Sequence, residues 1–213
     1  MDVGQPSSRF SRLAGHTVLD LMNTVDWRLD PERRGERLHD MGDVLDWCLG
    51  AELVDVGEHE TLRAEVLAHP RVAVREREAV VALREVAYDA VVDGSAPAVR
   101  QLNESYRDAL SRAVLRPADP PEEWVWHDTH LTLTTPRDRI VRATLELVTR
   151  PDFRLLHQCE DEACGWVYLD TSPRHNRRWC SASDCGNRNR ARRFYERHQG
   201  DGRTGTGRTG REQ

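Results

Sequence analysis

Residues 159–164 read CEDEAC and residues 180–185 read CSASDC, so two cysteine pairs with the same gap lie in one short window. Four thiolates at such spacing are typical of a closed tetrahedral zinc site, since thiolates are soft ligands that suit zinc. The sequence therefore predicts one structural zinc ion held by Cys159, Cys164, Cys180 and Cys185. An iron–sulfur centre is the main alternative for such a ligand set.

Other candidate ligands are fewer and more scattered. His157 and His175 lie near the cysteine window, but four cysteines already complete a closed site, so both are predicted to face solvent. The fifth cysteine, Cys48, lies in an apolar helical stretch and is predicted to be a buried core thiol. The cysteine pattern therefore indicates metal binding rather than a disulfide framework.

The length and composition limit the class of protein. The 213 residues are enough for one medium domain and a small one, and hydrophobic residues make up 38% of them. No apolar run reaches the roughly 20 residues that a membrane helix needs. The first twelve residues have no apolar core of a secretory signal. We therefore expect a cytoplasmic protein with no membrane partner.

The fold is predicted to be mainly α with a small β-hairpin, an α+β fold. A helical N-terminal domain precedes a four-cysteine zinc finger with two cysteine knuckles, a β-hairpin and a basic helix. Apolar spacing predicts helices over residues 17–27, 40–49, 58–68, 72–92, 97–113, 137–148 and 187–197. A Pro-rich turn predicts pairing of 113–116 with 123–127, and alternation of Leu with Thr over 130–135 predicts a third strand.

The same patterns divide the chain into segments. A flexible N-terminus is predicted at residues 1–12, the helical domain at 13–150, the finger with its basic helix at 151–199, and a disordered tail at 200–213. Within the finger, the hairpin is expected between the two cysteine pairs, with residues 166–169 as one of its strands.

Charge is distributed unevenly along the chain. Residues 1–150 have a balance of −8 and residues 151–213 one of +3. A basic surface on an acidic protein indicates an anionic partner there. The predicted nucleic-acid contacts are Arg177, Arg178, Arg188, Arg190, Arg192 and Arg193. On the basic helix, Ala191 and Phe194 are expected to pack back on the zinc hairpin.

These segments resemble a known architecture. The cysteine window, with the intact tetrapeptide Cys185-Gly-Asn-Arg188, is similar over residues 153–198 to the bacterial CGNR zinc finger. The family's usual Lys after this tetrapeptide is Arg190 here, which preserves the charge. Residues 19–24, LDLMNT, are similar to the Leu-Asp-Phe-Val-Asn-Thr of the ABATE domain that accompanies this finger. The resemblance implies a stress-related transcription regulator with a helical sensor-like domain and a DNA-binding finger.

Several functional alternatives remain at this point. DNA is the expected partner, RNA is the second choice, and a homodimer and a small-molecule effector are possible. The side chains of Asp20, Asn23 and Thr24 are expected near one helix face, where they either cap a neighbouring helix or line a pocket for a small ligand. No catalytic motif is present, so we do not expect an enzyme. The alternative is a ligand-binding or protein-interaction protein whose zinc is purely structural and which binds no nucleic acid.

Overall fold

The computed structural model describes residues 10–119 and 123–201, with side chains up to residue 198. The flexible segment predicted for residues 1–12 and the disordered tail predicted for 200–213 fall almost wholly outside the described residues, and both stay predictions.

Helices carry most of the described chain, which confirms the mainly helical prediction. They are α1 (Thr17–Met22), α2 (Met41–Gly50), α3 (Val56–Ala68), α4 (Pro70–Val92), α5 (Ala96–Leu110), α6 (Thr135–Thr149) and α7 (Cys185–Asp201). Capping explains why some ends differ from the predicted ones. Asp55 and Glu58 form a reciprocal capping box, so α3 begins two residues before its predicted start.

The first helix is shorter than the predicted helix over 17–27. It ends at Met22, and the next residue, Asn23, caps it by donating its backbone N–H to the carbonyl of Leu19. The chain then forms β1 (Val25–Asp26), which pairs antiparallel with β2 (Gly35–Glu36). Residues 23–27, which were predicted to be helical, therefore lie outside the helix.

The central hairpin is confirmed, and the third strand beside it is wrong. Strand β3 (Ala113–Pro117) pairs antiparallel with β4 (Trp124–Asp128). Residues 130–134 form no strand, because the hydroxyl of Thr135 accepts the N–H of Thr132 and α6 begins at Thr135, with Pro136 in its first turn. Alternating Leu and Thr residues imitate a strand here, but their hydroxyls bond the local backbone.

One hydrophobic core fills the space between α2, α4, α5 and α6. Its fully or almost fully buried members include Leu45, Val80, Leu102 and Ile140. Cys48 lies in this core as predicted, and burial raises the pKa of its thiol to about 12. That thiol is therefore an apolar packing group rather than a nucleophile.

The hairpin of the finger differs from the predicted one in its placement. A 3₁₀ turn (Pro151–Leu155) leads into β5 (Leu156–Gln158), which pairs antiparallel with β6 (Val167–Leu169). The first cysteine pair lies in the loop that joins these strands. The hairpin therefore encloses that pair and does not lie between the two pairs, because the partner of β6 comes before Cys159.

A second core joins the two parts of the chain. Val18, Leu19 and Met22 of α1 pack in one cluster with Val167 and Leu169 of β6. The four clustered cysteines belong to the same cluster. The finger is therefore packed directly on α1, α4 and α6 and shares their apolar interior.

A buried ion-pair network lies beside this second core. The Arg84 side chain is only 1% exposed and donates to both carboxylate oxygens of Glu36, at 2.8 and 2.6 Å. It also donates to the Thr24 hydroxyl and to Glu85, each at 2.8 Å. Burial alone would lower the pKa of Arg84, but the hydrogen bonds and charge of Glu36 outweigh it and raise that pKa. The charged group is therefore paired rather than isolated in the interior.

Candidate metal centre and basic helix

The four clustered cysteines converge on one point. Their sulfur atoms all lie within 4.8 Å of one another, and all four residues are buried. The sulfurs of Cys164 and Cys180 are 3.7 Å apart, and those of Cys180 and Cys185 are 3.4 Å apart. Tetrahedral zinc with Zn–S bonds of about 2.3 Å places its sulfurs about 3.8 Å apart. The four cysteines are thus positioned to bind one metal ion, and they leave no room for a multi-iron cluster.

The first knuckle needs a glycine at its end. Cys159 N–H bonds the carbonyl of Trp166 at 2.8 Å, and Cys164 N–H bonds that of Asp161 at 3.0 Å. The next residue, Gly165, has φ +70°, and a Cβ there would lie 2.9 Å from the Cβ of Arg28. Both the left-handed backbone and the close approach therefore require glycine.

The second knuckle runs directly into the basic helix. The N–H of Cys180 points at the sulfur of Cys159, 3.4 Å away, and Cys185 is the first residue of α7. Gly186 N–H bonds the carbonyl of Ser181 at 2.9 Å. The metal would therefore fix the start of α7 in space.

A hydrogen-bond donor lies close to the sulfurs and can stabilise their negative charge. A zinc ion with four thiolates has a net charge of about −2. Arg188 donates to the sulfur of Cys185 at 2.8 Å, and it also pairs with Asp161 and Asp184. Burial alone would lower the pKa of Arg188, but the charge of Cys185 and the two carboxylates raise it. Arg188 therefore stays charged beside the metal centre.

Neighbouring sulfurs also perturb one another. Hydrogen bonds from Cys164 and the other two thiols hold the pKa of Cys159 far below its ordinary value. Hydrogen bonds with Cys159 and Cys185 raise the pKa of Cys164 and of Cys180. Four sulfurs this close therefore need a cation before all of them can be thiolates, and zinc supplies that charge in a closed site.

Hydrogen bonds to backbone groups attach the finger to the N-terminal part. The Asn23 carboxamide donates to the carbonyl of Val167 at 2.8 Å and accepts its N–H at 2.9 Å, as a neighbouring strand would. The Trp166 indole donates to the carbonyl of Val25 at 2.8 Å, and Arg28 N–H bonds the carbonyl of Cys164 at 3.0 Å. Hydrogen bonds from the N-terminal part therefore hold both the end of the first knuckle, at Cys164, and the strand that follows it, at Val167.

The basic helix leaves this packed region after its first turn. Asn189 is buried, where it donates to Asp161 at 2.9 Å. Every side chain from 190 to 198 is exposed, including the aromatic rings of Phe194 and Tyr195. The outer part of α7 is therefore largely surrounded by solvent, and among the described residues Arg190 and Arg192 reach back to the finger, at Ala182 and Glu162.

Comparison with family models identifies both parts of the chain. A model described as "Putative stress-induced transcription regulator", ABATE, matches residues 15–151. The chain belongs to the ABATE family. A second model, the CGNR zinc finger, matches residues 155–198 and includes all four cysteines. The resemblance seen in the sequence is thereby confirmed. A comparison with curated proteins gave no match.

The finger and the ABATE domain contain no membrane segment among their described helices, since none combines the length and the hydrophobicity needed to cross a bilayer.

Three of the six predicted nucleic-acid arginines are engaged close to the metal centre. Arg177 stacks 4.0 Å over the ring of Tyr168 and donates to the backbone carbonyl of Cys180. Arg178 pairs with Glu160 at 2.7 Å. Arg188 contacts the sulfur of Cys185 as described above. These side chains stabilise the CGNR finger itself.

The other three predicted arginines lie on the exposed part of α7. Arg190 donates to the carbonyl of Ala182 at 3.1 Å and to Asn187 of its own helix. Arg192 donates to Asn189 at 2.7 Å. Arg193 makes no hydrogen bond or ion pair with its side chain among the described residues. The expectation that Ala191 and Phe194 pack on the zinc hairpin is wrong, because α7 projects beyond it.

The predicted ligand triad does not converge on one cavity. Asn23 bonds β6, and the Thr24 hydroxyl donates to the carbonyl of Leu21 and accepts from Arg84. Only Asp20 lines an open groove, of about 910 Å³, between the ABATE domain and the finger. Its carboxylate accepts the N–H of Ala14, and burial raises its pKa to about 6.

Sequence reasoning missed two residues that hold the centre. Asp161 is buried inside the first knuckle and accepts from Arg188 and Asn189. Trp27 lies under the guanidinium of Arg188, at 4.2 Å. The position of Asp161 between two ligands was an available signal. No sequence signal pointed to Trp27, since it lies more than 150 residues before Arg188, the residue that it contacts.

Proposed function

We propose that this ABATE-family protein is a DNA-binding transcription regulator that contacts duplex DNA with the outer part of α7, a binding role and not a catalytic one. The observation that carries the proposal is the exposure of every side chain from 190 to 198 on a helix that starts at a metal ligand. A helix with side chains is about 10–12 Å wide, and the major groove is about 12 Å wide.

The charge of this helix supports an anionic partner. Residues 190–198 contain four arginines against one acidic residue, Glu196. Arg190, Arg193 and Arg197 recur at three- and four-residue steps and share one stripe. Arginine side chains contact phosphates and also bond guanine edges, so this stripe suits a DNA groove.

The metal centre supports the proposal through rigidity. Cys185 anchors the first turn of α7, and Arg188 and Asn189 fix it to Asp161. A recognition helix held in place loses less conformational entropy when it binds. Zinc is then structural, and its role is to aim the helix.

The ABATE domain would act as the sensor or as the dimerisation module of this regulator. It shares a hydrophobic core with the finger and bonds the knuckle backbone through Asn23 and Arg28. An effector that binds one arrangement of this contact better than another would change DNA affinity by that difference.

The test is fluorescence anisotropy of labelled random duplex DNA with zinc-loaded protein, titrated from 20 to 200 mM salt. Four arginine–phosphate contacts predict a slope of log K against log[salt] of about −3 to −4. Replacing both Arg190 and Arg193 with Ala should reduce the steepness of that slope by about 2. Arg100→Ala, an exposed arginine on α5, is the matched control and should change nothing.

The outcomes separate the candidate functions. Equal DNA affinity of the double variant would contradict the α7 surface. Tighter binding of single-stranded RNA than of duplex DNA would reassign the partner. The absence of any binding at 20 mM salt would favour the alternative in which the finger only stabilises a ligand-binding or protein-interaction protein.

A further inference from the structure

The outer part of α7 carries one stripe of side chains that contains no arginine. Its four members are exposed, recur at steps of four, three and four residues and share one face of the helix: Asn187, Ala191, Phe194 and His198. We call this set of four the outer stripe. Cys185 and Asn189 are buried, and at about 100° per residue they lie on the opposite side of the helix. The outer stripe therefore faces away from the finger.

Arginines flank the outer stripe on both sides. Arg190 and Arg197 lie roughly a quarter turn to one side of it, and Arg192 lies about a third of a turn to the other side. Arg190 and Arg192 also contact the finger, at Ala182 and Glu162, which places their guanidinium groups. A helix in the major groove has base edges in front of it and phosphates beside it. The outer stripe and its flanking arginines match that arrangement.

The two polar members of the outer stripe already have partners. The Asn187 carboxamide donates to a backbone carbonyl of the second knuckle at 2.8 Å and accepts from Arg190. The Nδ1 atom of His198 lies 2.8 Å from the carbonyl of Phe194. The outer stripe therefore presents mainly apolar surface to a partner, namely the methyl group of Ala191 and the ring of Phe194.

The ring of Phe194 is exposed, but its neighbours restrict it. The side chain is 51% exposed. The His198 ring packs on it with the centroids 4.0 Å apart, and the Tyr195 ring lies edge-on at 6.0 Å. A side chain that is already restricted loses less conformational entropy when a partner covers it. Phe194 therefore suits a contact of defined geometry.

The charge around the ring decides which kind of partner fits. Residues 190–198 contain four arginines against Glu196 alone. An apolar groove on a protein would desolvate these cations without pairing them, which is costly. Duplex DNA pairs them with phosphates while the ring enters the groove. The flanking charge therefore favours DNA over a protein as the partner of Phe194.

We propose that the outer stripe reads A·T pairs in the major groove, with the ring of Phe194 and the methyl group of Ala191 against the C5-methyl groups of thymine. Thymine alone presents a methyl group in that groove, and apolar side chains such as Ala and Phe contact it. The inference rests on the proposed function, since α7 must enter duplex DNA. It adds the class of sequence that α7 prefers, which contacts between arginine and phosphate do not supply.

The experiment is selection from a pool of duplexes with about 20 randomised base pairs, two turns of DNA, by zinc-loaded full-length protein. Fluorescence anisotropy then compares the enriched duplex with the same duplex in which uracil replaces every thymine. Uracil pairs as thymine does and lacks only the C5-methyl group. We expect the uracil duplex to bind about 4-fold weaker for each methyl contact that is lost, and about 15-fold weaker for two.

Two variants separate the methyl contact from the charge. Phe194→Ala should lower the thymine-to-uracil ratio of affinities to about 4-fold or less and should leave the slope of log K against log[salt] unchanged. Arg197→Ala is the matched control on the same helix. It should leave the ratio unchanged and reduce the steepness of the slope by about 1. Phe194→Gln replaces the first variant if Phe194→Ala loses zinc or helix content.

The outcomes separate this inference from the proposed function. Equal affinity for the enriched thymine and uracil duplexes would overturn the inference and leave the proposed function intact. A wild-type ratio in the Phe194 variants, or DNA binding that enriches no sequence, would overturn it as well. The absence of binding to any duplex at 20 mM salt would reject the proposed function and the inference with it, and the exposed ring would then belong to a contact with a protein.

Discussion

Arg188 of the finger stacks on Trp27 of the ABATE domain, with its guanidinium carbon 4.2 Å from the ring centroid. Arg33 covers the same ring at 4.1 Å. Trp27 has φ +51°, a backbone conformation that costs about 1 kcal/mol or more for a residue other than glycine. The CGNR arginine therefore contacts both a metal ligand and the other domain.

We expect Arg188→Ala to weaken metal retention. The change removes the donor to the sulfur of Cys185 and one of the two side chains that donate to buried Asp161. Loss of a hydrogen bond to a metal ligand lowers metal affinity by about 10- to 100-fold. Competition with a chromogenic chelator measures it. Arg190→Ala is the control in the same helix and should retain zinc as the wild type does.

We expect Asn23→Ala to destabilise the joined fold by about 2–4 kcal/mol, because the N–H and the carbonyl of Val167 both lose their buried partner. Urea denaturation measures the free energy of unfolding. Asn103→Ala removes one hydrogen bond from an exposed asparagine on α5 and should cost under about 1 kcal/mol. Equal costs for the two changes would contradict the role of Asn23 as a link between domains.

Two glycines with similar backbone angles allow a matched comparison. Gly165 has φ +70° and would place a Cβ 2.9 Å from atoms of Arg28 and Leu29, whereas Gly94 has φ +63° and open space around it. Gly94→Ala should cost about 1 kcal/mol from the left-handed backbone alone. Gly165→Ala should cost clearly more and loosen zinc binding. Thermal unfolding of both variants checks the difference.

Asp20 should make stability depend on pH. Burial raises its pKa to about 6 in the folded protein, above the value near 3.9 of an unfolded chain. The folded state then binds more protons between these values, so this contribution falls as the pH rises from about 4 to 6. Between pH 5 and 7.5 the loss is about 1 kcal/mol.

The variant Asp20→Asn isolates that effect. Asn does not titrate, so the free energy of unfolding of the variant should not fall in this way as the pH rises. The stability of the variant relative to the wild type should therefore increase from pH 5 to pH 7.5. Urea midpoints at the two pH values measure it in zinc-saturated protein. A constant difference at both pH values would show that Asp20 does not titrate in this range.

We expect Cys180→Ser to release the metal and to unfold more than the finger. The cysteines lie in one cluster with Val18, Leu19 and Met22 of α1. Loss of the metal site therefore exposes apolar surface of the ABATE domain as well. Circular dichroism and a hydrophobic dye measure both effects. Cys48→Ala, a change in the other core, should keep zinc fully bound.

The metal ligands could be predicted from the sequence because two equal spacings restrict where four sulfurs can meet. The position of the hairpin around the first pair could not, since β5 has only three residues and shows no period. The partner of Asn23 was equally hidden. Its hydrogen bonds reach Val167, 144 residues away, and no local pattern encodes such a contact.

The arginines of α7 and the third strand that was wrongly predicted show that a local sequence pattern does not reveal which contacts a side chain makes in the fold. Spacing placed Arg190 and Arg193 on one stripe, but only the fold shows that Arg188 is used at a sulfur. Over 130–135, period-two alternation favoured a strand, while hydroxyl hydrogen bonds and Pro136 favoured a helix start. Local polar chemistry outweighed the periodic pattern.

The core shared by α1 and β6 also sets the order of events during synthesis. The ABATE domain emerges from the ribosome before Cys159 to Cys185, so the part of α1 that packs on β6 stays uncovered until the finger has been made. We expect the nascent chain to wait in an incompletely folded form that attracts chaperones. A cell short of zinc would prolong that interval, and the abundance of the protein would then follow the metal supply.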